Sequence, residues 1–153
     1  CSPPTHIPVI IGPLFTSRSK QELENRSITN PGRLARAGVE IALTTDAPVV
    51  PINFLVHEAT LAVKEGLDPV TALESITINP ARMLGLDDRV GSLEPGKDAD
   101  LVVWSGDPLD VMSRAERVYV GGRRVYDFNP ALGHGVTLDP YETLGDTVGL
   151  PVR

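Results

Sequence analysis

Apolar positions along this chain change texture partway through. Ile7-Pro8-Val9-Ile10-Ile11 is a short β-branched run closed by Gly12-Pro13, which predicts a buried strand. A polar stretch with Ser17, Arg18, Ser19 and Lys20 follows. Asn30-Pro31 predicts a helix start, with Asn as cap and Pro at the first helical position. Leu34 and Ala37 give that helix an apolar side, and Gly38 stops it. Val39–Thr45 then reads as a second buried strand. The strand–helix–strand order predicts a parallel pair. Beyond it, Leu55, Ala59, Ala62 and Val63 recur at helical spacing between Phe54 and Glu65. Asp68-Pro69 caps a predicted helix running to Thr77, and Asn79-Pro80 caps a shorter one through Met83 and Leu84.

From Val90 the pattern is β-rich. Strands are predicted at Val90–Leu93, Leu101–Trp104, Arg117–Val120 and Arg123–Tyr126. Glu94-Pro95-Gly96-Lys97 fits a type II turn, and Gly121-Gly122 a two-residue hairpin turn. After Asp127 the periodicity fades among glycines, so residues 128–153 read as an irregular tail. Three regions result: 1–89, 90–127 and 128–153.

Composition narrows the classes. The chain has 153 residues, enough for a domain with a core, and 41% are apolar. No apolar run approaches the roughly 18 residues of a spanning helix. The charged set is 14 basic against 20 acidic residues, a net charge of −6. That excess argues against nucleic acid and anionic membrane surfaces as partners. The single cysteine, Cys1, permits no internal disulfide, which with the lack of a signal-like start predicts a cytoplasmic protein. The sequence starts at Cys1 rather than Met, and is read as either trimmed or a piece of something longer.

The chemistry centres on Asp46. Val39–Thr45 delivers this carboxylate to the strand's C-terminal tip, just before Pro48. In barrel enzymes that tip is where catalytic groups sit. Residues alone leave open a plain turn role for it. The three histidines, His6, His57 and His134, include no H-x-H pair. Each reads as a surface residue, although His57 beside Glu58 has the look of half a site. Asn79 reads as a cap, not a catalytic amide. Asp98 and Asp100 flank a strand start and read as solvated rather than cation-binding. Lys97 follows two glycines but is not in a phosphate loop, since Asp98 comes next. Arg18 and Lys20 would face an active-site mouth if the preceding strand belongs to a barrel.

Thr44-Thr45-Asp46-Ala47-Pro48, Thr77-Ile78-Asn79-Pro80-Ala81-Arg82, the run Val90-Gly91-Ser92-Leu93-Glu94-Pro95-Gly96-Lys97-Asp98-Ala99-Asp100-Leu101, and Val118–Tyr126 fall in one order and spacing. Together they resemble the C-terminal part of metal-dependent amidohydrolases, and most of all the imidazolonepropionase-like members. The resemblance implies an α/β fold: a C-terminal fragment of a distorted (β/α)8 barrel plus the C-terminal half of a small β-sandwich. Ile7–Ile11 and Val39–Thr45 would be the last two barrel strands. Asp46 would be both metal ligand and catalytic group, taking a proton from water on a divalent metal, zinc by expectation. The family's H-x-H pair, its Lys or Glu and its two further histidines have no counterpart here. The resemblance therefore implies hydrolysis of a non-peptide C–N bond, such as a cyclic amide, in the complete enzyme. It also implies that this chain alone retains neither metal nor activity. Two alternatives stand beside it: a non-catalytic α/β remnant, and one half of a split enzyme needing a histidine-bearing partner. The expected partners are a small-molecule substrate and a complementing N-terminal chain, or further copies of this chain joined through open strand edges.

Overall fold

The computed structural model describes residues 7–15 and 27–138. It contains a two-stranded sheet wrapped by helices and a separate four-stranded sheet. β1 (Val9–Ile11) and β2 (Ile41–Leu43) are parallel, with Ile10 opposite Ala42. Helix α1 (Asn30–Arg36) lies between them in sequence. Both strands are shorter than their apolar runs. Ile7 is exposed, while Thr44 still donates its N–H to the Ile11 carbonyl at 2.9 Å. Gly12 makes the close approach of the two tips possible. Its φ is +149°, and a Cβ there would collide with the Thr44 carbonyl.

A 3-10 turn (Ile52–Phe54) leads into α2 (Leu55–Lys64), followed by α3 (Pro69–Glu74) and α4 (Ile78–Met83). The core is built where α2 and α3 cover β2: Leu14, Ile41, Leu43, Ala59, Ala62, Leu67 and Ala72 form one buried cluster. Alanines on the helical side let the helices lie close to the strand. Leu109, from the loop before β4, packs on the same cluster and ties the second sheet to it.

Two of the predicted caps need correcting. Helix α1 begins at Asn30 with Thr29 as its cap residue, so Asn30 lies inside the helix. Helix α4 begins at Ile78 after Thr77, so Asn79 is a helical residue and is buried. Asp68 does cap α3: its carboxylate accepts the Thr71 N–H at 3.0 Å. That helix ends at Glu74 rather than Thr77, because Thr77 is taken up as the entry to α4.

The four-stranded sheet is antiparallel, in the order β3 (Leu101–Trp104), β4 (Ala115–Val120), β5 (Arg123–Asn129), β6 (His134–Thr137). Gly121 and Gly122 join β4 to β5 with φ of 55° and 76°. Positive φ at both central positions is the type I′ hairpin geometry. The Lys97 N–H reaches the Glu94 carbonyl at 3.2 Å across Gly96, whose φ is +95°, as the type II turn requires.

Two expectations fail in this region. Val90–Leu93 is not a strand. Gly91 has φ +93° and sits so close to α4 that a Cβ would press on Ala81 and Ile78, which turns the chain out of an extended path. The tail is not irregular from residue 128 either: β5 runs to Asn129 and β6 pairs with it. The remaining expected tail, 139–153, lies outside the described residues.

Candidate active site

Asp46 sits immediately beyond the tip of β2. Its backbone is left-handed, with φ 51°, a region Asp tolerates better than most residues with a side chain. Two contacts hold it there. Its N–H donates to Thr44 Oγ1 at 3.1 Å, and its carbonyl accepts from the Val49 N–H at 2.8 Å. One turn later the Val50 N–H closes onto the Thr45 carbonyl at 3.2 Å. Thr45 and Val50 are buried and Asp46 is exposed, so the turn roots the backbone and leaves the carboxylate in solvent.

Because β1 and β2 are parallel, the loop after β1 opens at the same end as Asp46. That loop is fixed from behind by Glu58. Its side chain is fully buried, and Oε2 accepts the Leu14 N–H at 2.7 Å. Phe15, next in the loop, stands edge-on to Phe54 with ring centroids 6.1 Å apart. Phe54 in turn packs on the His57 ring at 5.3 Å. Among the described residues, the loop after β1 and the entry to α2 thus share an aromatic contact of Phe15, Phe54 and His57.

The rigidity of β2 comes from its other side. The Leu43 N–H donates to the Ser75 carbonyl at 2.9 Å, and Asn79 Nδ2 donates to the Ile41 carbonyl at 3.0 Å. Asn79 Oδ1 accepts from Arg82 at 3.2 Å, and Arg82 also approaches Glu40 at 3.5 Å. The segment from α3 to α4 thus substitutes for a neighbouring strand and locks the one that presents Asp46.

The other sequence candidates do not join Asp46. His57 is exposed on α2, while Glu58 turns inward to its structural bond. His134 lies exposed on β6. Asp98 pairs with Arg89 at 2.6 Å within the loop before β3, and Asp100 accepts the Gly121 N–H at 2.6 Å at the β4–β5 turn. Lys97 donates to Ser92 at 2.6 Å and lies 3.3 Å from Glu94. The Ser92 hydrogen bond first, then Lys97, holds the Glu94 carboxyl below its usual range. His6, Arg18 and Lys20 fall outside the described residues. A cavity of about 720 Å³ between the helices and β3–β4 is lined by Val56, Leu73, Trp104 and Val118 among others, and Asp46 is not part of its wall.

The sequence pointed to Asp46, which the structure places exposed just beyond the tip of β2, and missed the roles of Glu58 and Asn79. The signal for Glu58 was present: it falls on the face of α2 shared by Leu55, Ala59 and Ala62, where a charge is out of place.

A carboxylate at the C-terminal tip of a parallel strand covered by helices occupies the position where barrel enzymes place their catalytic groups. Residues 16–129 match the amidohydrolase family, and the chain belongs to that family. It is similar to an amidohydrolase from Thermotoga maritima MSB8, a solved structure, with 48% identity and a TM-score of 0.77 over 80% of this chain and 32% of that one. Imidazolonepropionase of Geobacillus kaustophilus is 38% identical over 104 residues, 61% of this chain and 24% of that protein. Adenine deaminase 1 of Carboxydothermus hydrogenoformans is 51% identical over 63 residues, 41% of this chain and 10% of that protein. The fold is thus α/β and amidohydrolase-like, and the chain spans no more than about a third of each of these relatives. No helix among the described residues is long and apolar enough to cross a membrane.

Proposed function

We propose that this chain is the C-terminal portion of a cytoplasmic metal-dependent amidohydrolase. It would comprise the last two barrel strands with their helices (1–89) and the C-terminal part of a β-sandwich, which the β-rich region from residue 90 supplies. The complete enzyme hydrolyses a non-peptide C–N bond in a small molecule. The observation that carries this is the placement of Asp46: a solvent-facing carboxylate on a rooted left-handed turn at a parallel strand tip, in a chain of this family. The similarity to an imidazolonepropionase and to adenine deaminases favours a nitrogen-containing ring as substrate.

Amidohydrolases generally use a divalent metal, and zinc is the ion proposed here. The donor set of this chain does not fit one by itself: among the described residues no three His, Cys, Asp or Glu side chains converge as a metal site. A structural or catalytic zinc takes three or four protein ligands. What Asp46 offers is a single anionic oxygen donor, able to ligate a cation or hold a proton beside a substrate. The remaining ligands must come from residues outside this set, which is why the reading requires a histidine-bearing portion.

The test is ammonia release from adenine and ring opening of imidazolonepropionate. They are assayed with this chain alone, and with it joined to the Thermotoga maritima amidohydrolase lacking its matching C-terminal part. No turnover alone, and turnover in the joined protein that Asp46→Asn abolishes, is expected. Turnover by the chain alone, or a joined enzyme indifferent to Asp46→Asn, contradicts the reading.

A further inference from the structure

Thr44 follows β2 directly, and its backbone and side chain are held by different partners. Its N–H donates to the Ile11 carbonyl of β1 at 2.9 Å, which fixes its backbone to the neighbouring strand. Its hydroxyl oxygen accepts the Asp46 N–H at 3.1 Å. Gly12 makes room for this arrangement. A Cβ there would collide with the Thr44 carbonyl and come within 3.1 Å of Thr44 Cγ2. The Thr44 methyl therefore lies against the end of β1, while the hydroxyl serves the Asp46 amide.

The conformation held by that bond is unusual. Among the described residues, Asp46 is the only one besides glycines with a positive φ, at 51°. A residue with a side chain adopts such backbone only where its surroundings enforce it. A threonine hydroxyl bonded to the amide two residues on is a local turn device. Here it secures the Asp46 N–H, and the Val49 N–H secures the Asp46 carbonyl at 2.8 Å. Asp46 is exposed, so its backbone rather than packing sets where the carboxylate points.

We propose that Thr44 is a positioning residue for Asp46. Its hydroxyl holds the left-handed turn that aims the carboxylate, and so supports turnover without touching substrate. The proposal rests on the functional reading above, in which Asp46 handles a proton. The rival role is purely structural: a β-branched residue at a strand end, bonded to β1 through its backbone alone.

Three variants separate the two roles. Thr44→Val keeps the β-branched shape and the backbone N–H and removes the acceptor. Thr44→Ala also removes it, and Thr44→Ser keeps it. Conformation is read by NMR in this chain. A left-handed residue brings its own amide and α protons closest together, so Asp46 should give a strong NOE between them. That NOE should weaken in Thr44→Val and Thr44→Ala and persist in Thr44→Ser. Protection of the Leu43 amide, which donates to the Ser75 carbonyl, shows that each variant is folded.

Turnover is read in this chain joined to the truncated Thermotoga maritima amidohydrolase. Thr44→Val should lower kcat about tenfold or more, with KM changed less than about threefold. Thr44→Ser should keep kcat within about threefold of the parent, since it retains the acceptor. The acid limb of the kcat profile against pH should not move, because the bond goes to the Asp46 backbone and not to its carboxylate.

An Asp46 NOE that ignores both Thr44→Val and Thr44→Ala would overturn the proposal. So would parental kcat in Thr44→Val, an equal loss in Thr44→Ser, or a displaced acid limb. A joined protein without turnover, or one indifferent to Asp46→Asn, counts against the functional reading alone. The NOE then still decides whether the Thr44 hydroxyl holds the turn.

Discussion

Single residues here divide into those that present chemistry and those that hold it still. Asp46 does the first, and its φ of 51° decides which variant can report on it. Alanine in that conformation costs roughly 1–2 kcal/mol, so Asp46→Ala would mix strain with lost charge. Asp46→Asn keeps the tolerance for left-handed backbone and removes only the charge. Glu94 belongs to the second group. Its carboxyl is held below the usual range by Ser92, and then by Lys97. A lowered carboxyl pKa in the folded state means its interaction is fully present at neutral pH and lost as pH falls through that folded value. NMR titration should therefore give Glu94 a midpoint below an ordinary glutamate, and Ser92→Ala should raise it. A Glu94 midpoint that ignores Ser92→Ala would show that the contact does not persist in solution. Because Glu94 is exposed, its effect on global stability should be slight.

At the scale of elements, the hydrogen bonds that Ser75 and Asn79 make to β2 give the clearest prediction. Asn79→Ala leaves the Ile41 carbonyl, on a fully buried residue, without its side-chain donor and also removes the support of Arg82. An unsatisfied buried polar group costs about 1–3 kcal/mol. Urea unfolding should show a loss of that size, and a change within about 0.5 kcal/mol, typical of surface substitutions, would contradict the role assigned to Asn79. This role was hidden in the sequence for a physical reason. Asn-Pro is what a helix start looks like, and the partner carbonyl lies 38 residues away. Glu58 was hidden the same way, its partner Leu14 being 44 residues distant. Local signals were read well where the conformation is locally determined. The Gly121-Gly122 turn, the Asp68 cap and the parallel β1–β2 pair all follow from neighbouring residues or element order. Strand β6 was missed because its glycines look like breakers. In fact Gly135 lies under the Tyr126 ring, where any Cβ would collide with that side chain, so the glycine serves the pairing.

At the scale of the whole molecule, the described residues include several large apolar side chains in solvent. Ile7, Ile10, Val49 and Ile52 are all more than half exposed around the small parallel sheet and the turn after it. Patches of that kind mark interaction surfaces or aggregation sites. The isolated chain is therefore expected to self-associate, and a stable monomer at high concentration in sedimentation would contradict this. For its chemistry, family membership supplies an enzyme class and the described residues supply one exposed carboxylate at the strand tip.

That claim is tested most directly by zinc titration, comparing this chain alone with its complex with the truncated Thermotoga maritima protein. The account predicts no stoichiometric zinc binding by the chain alone. It predicts binding by the complex that Asp46→Asn weakens. Tight stoichiometric binding by the chain alone, lost on Asp46→Asn, would show that it holds a complete metal site of its own.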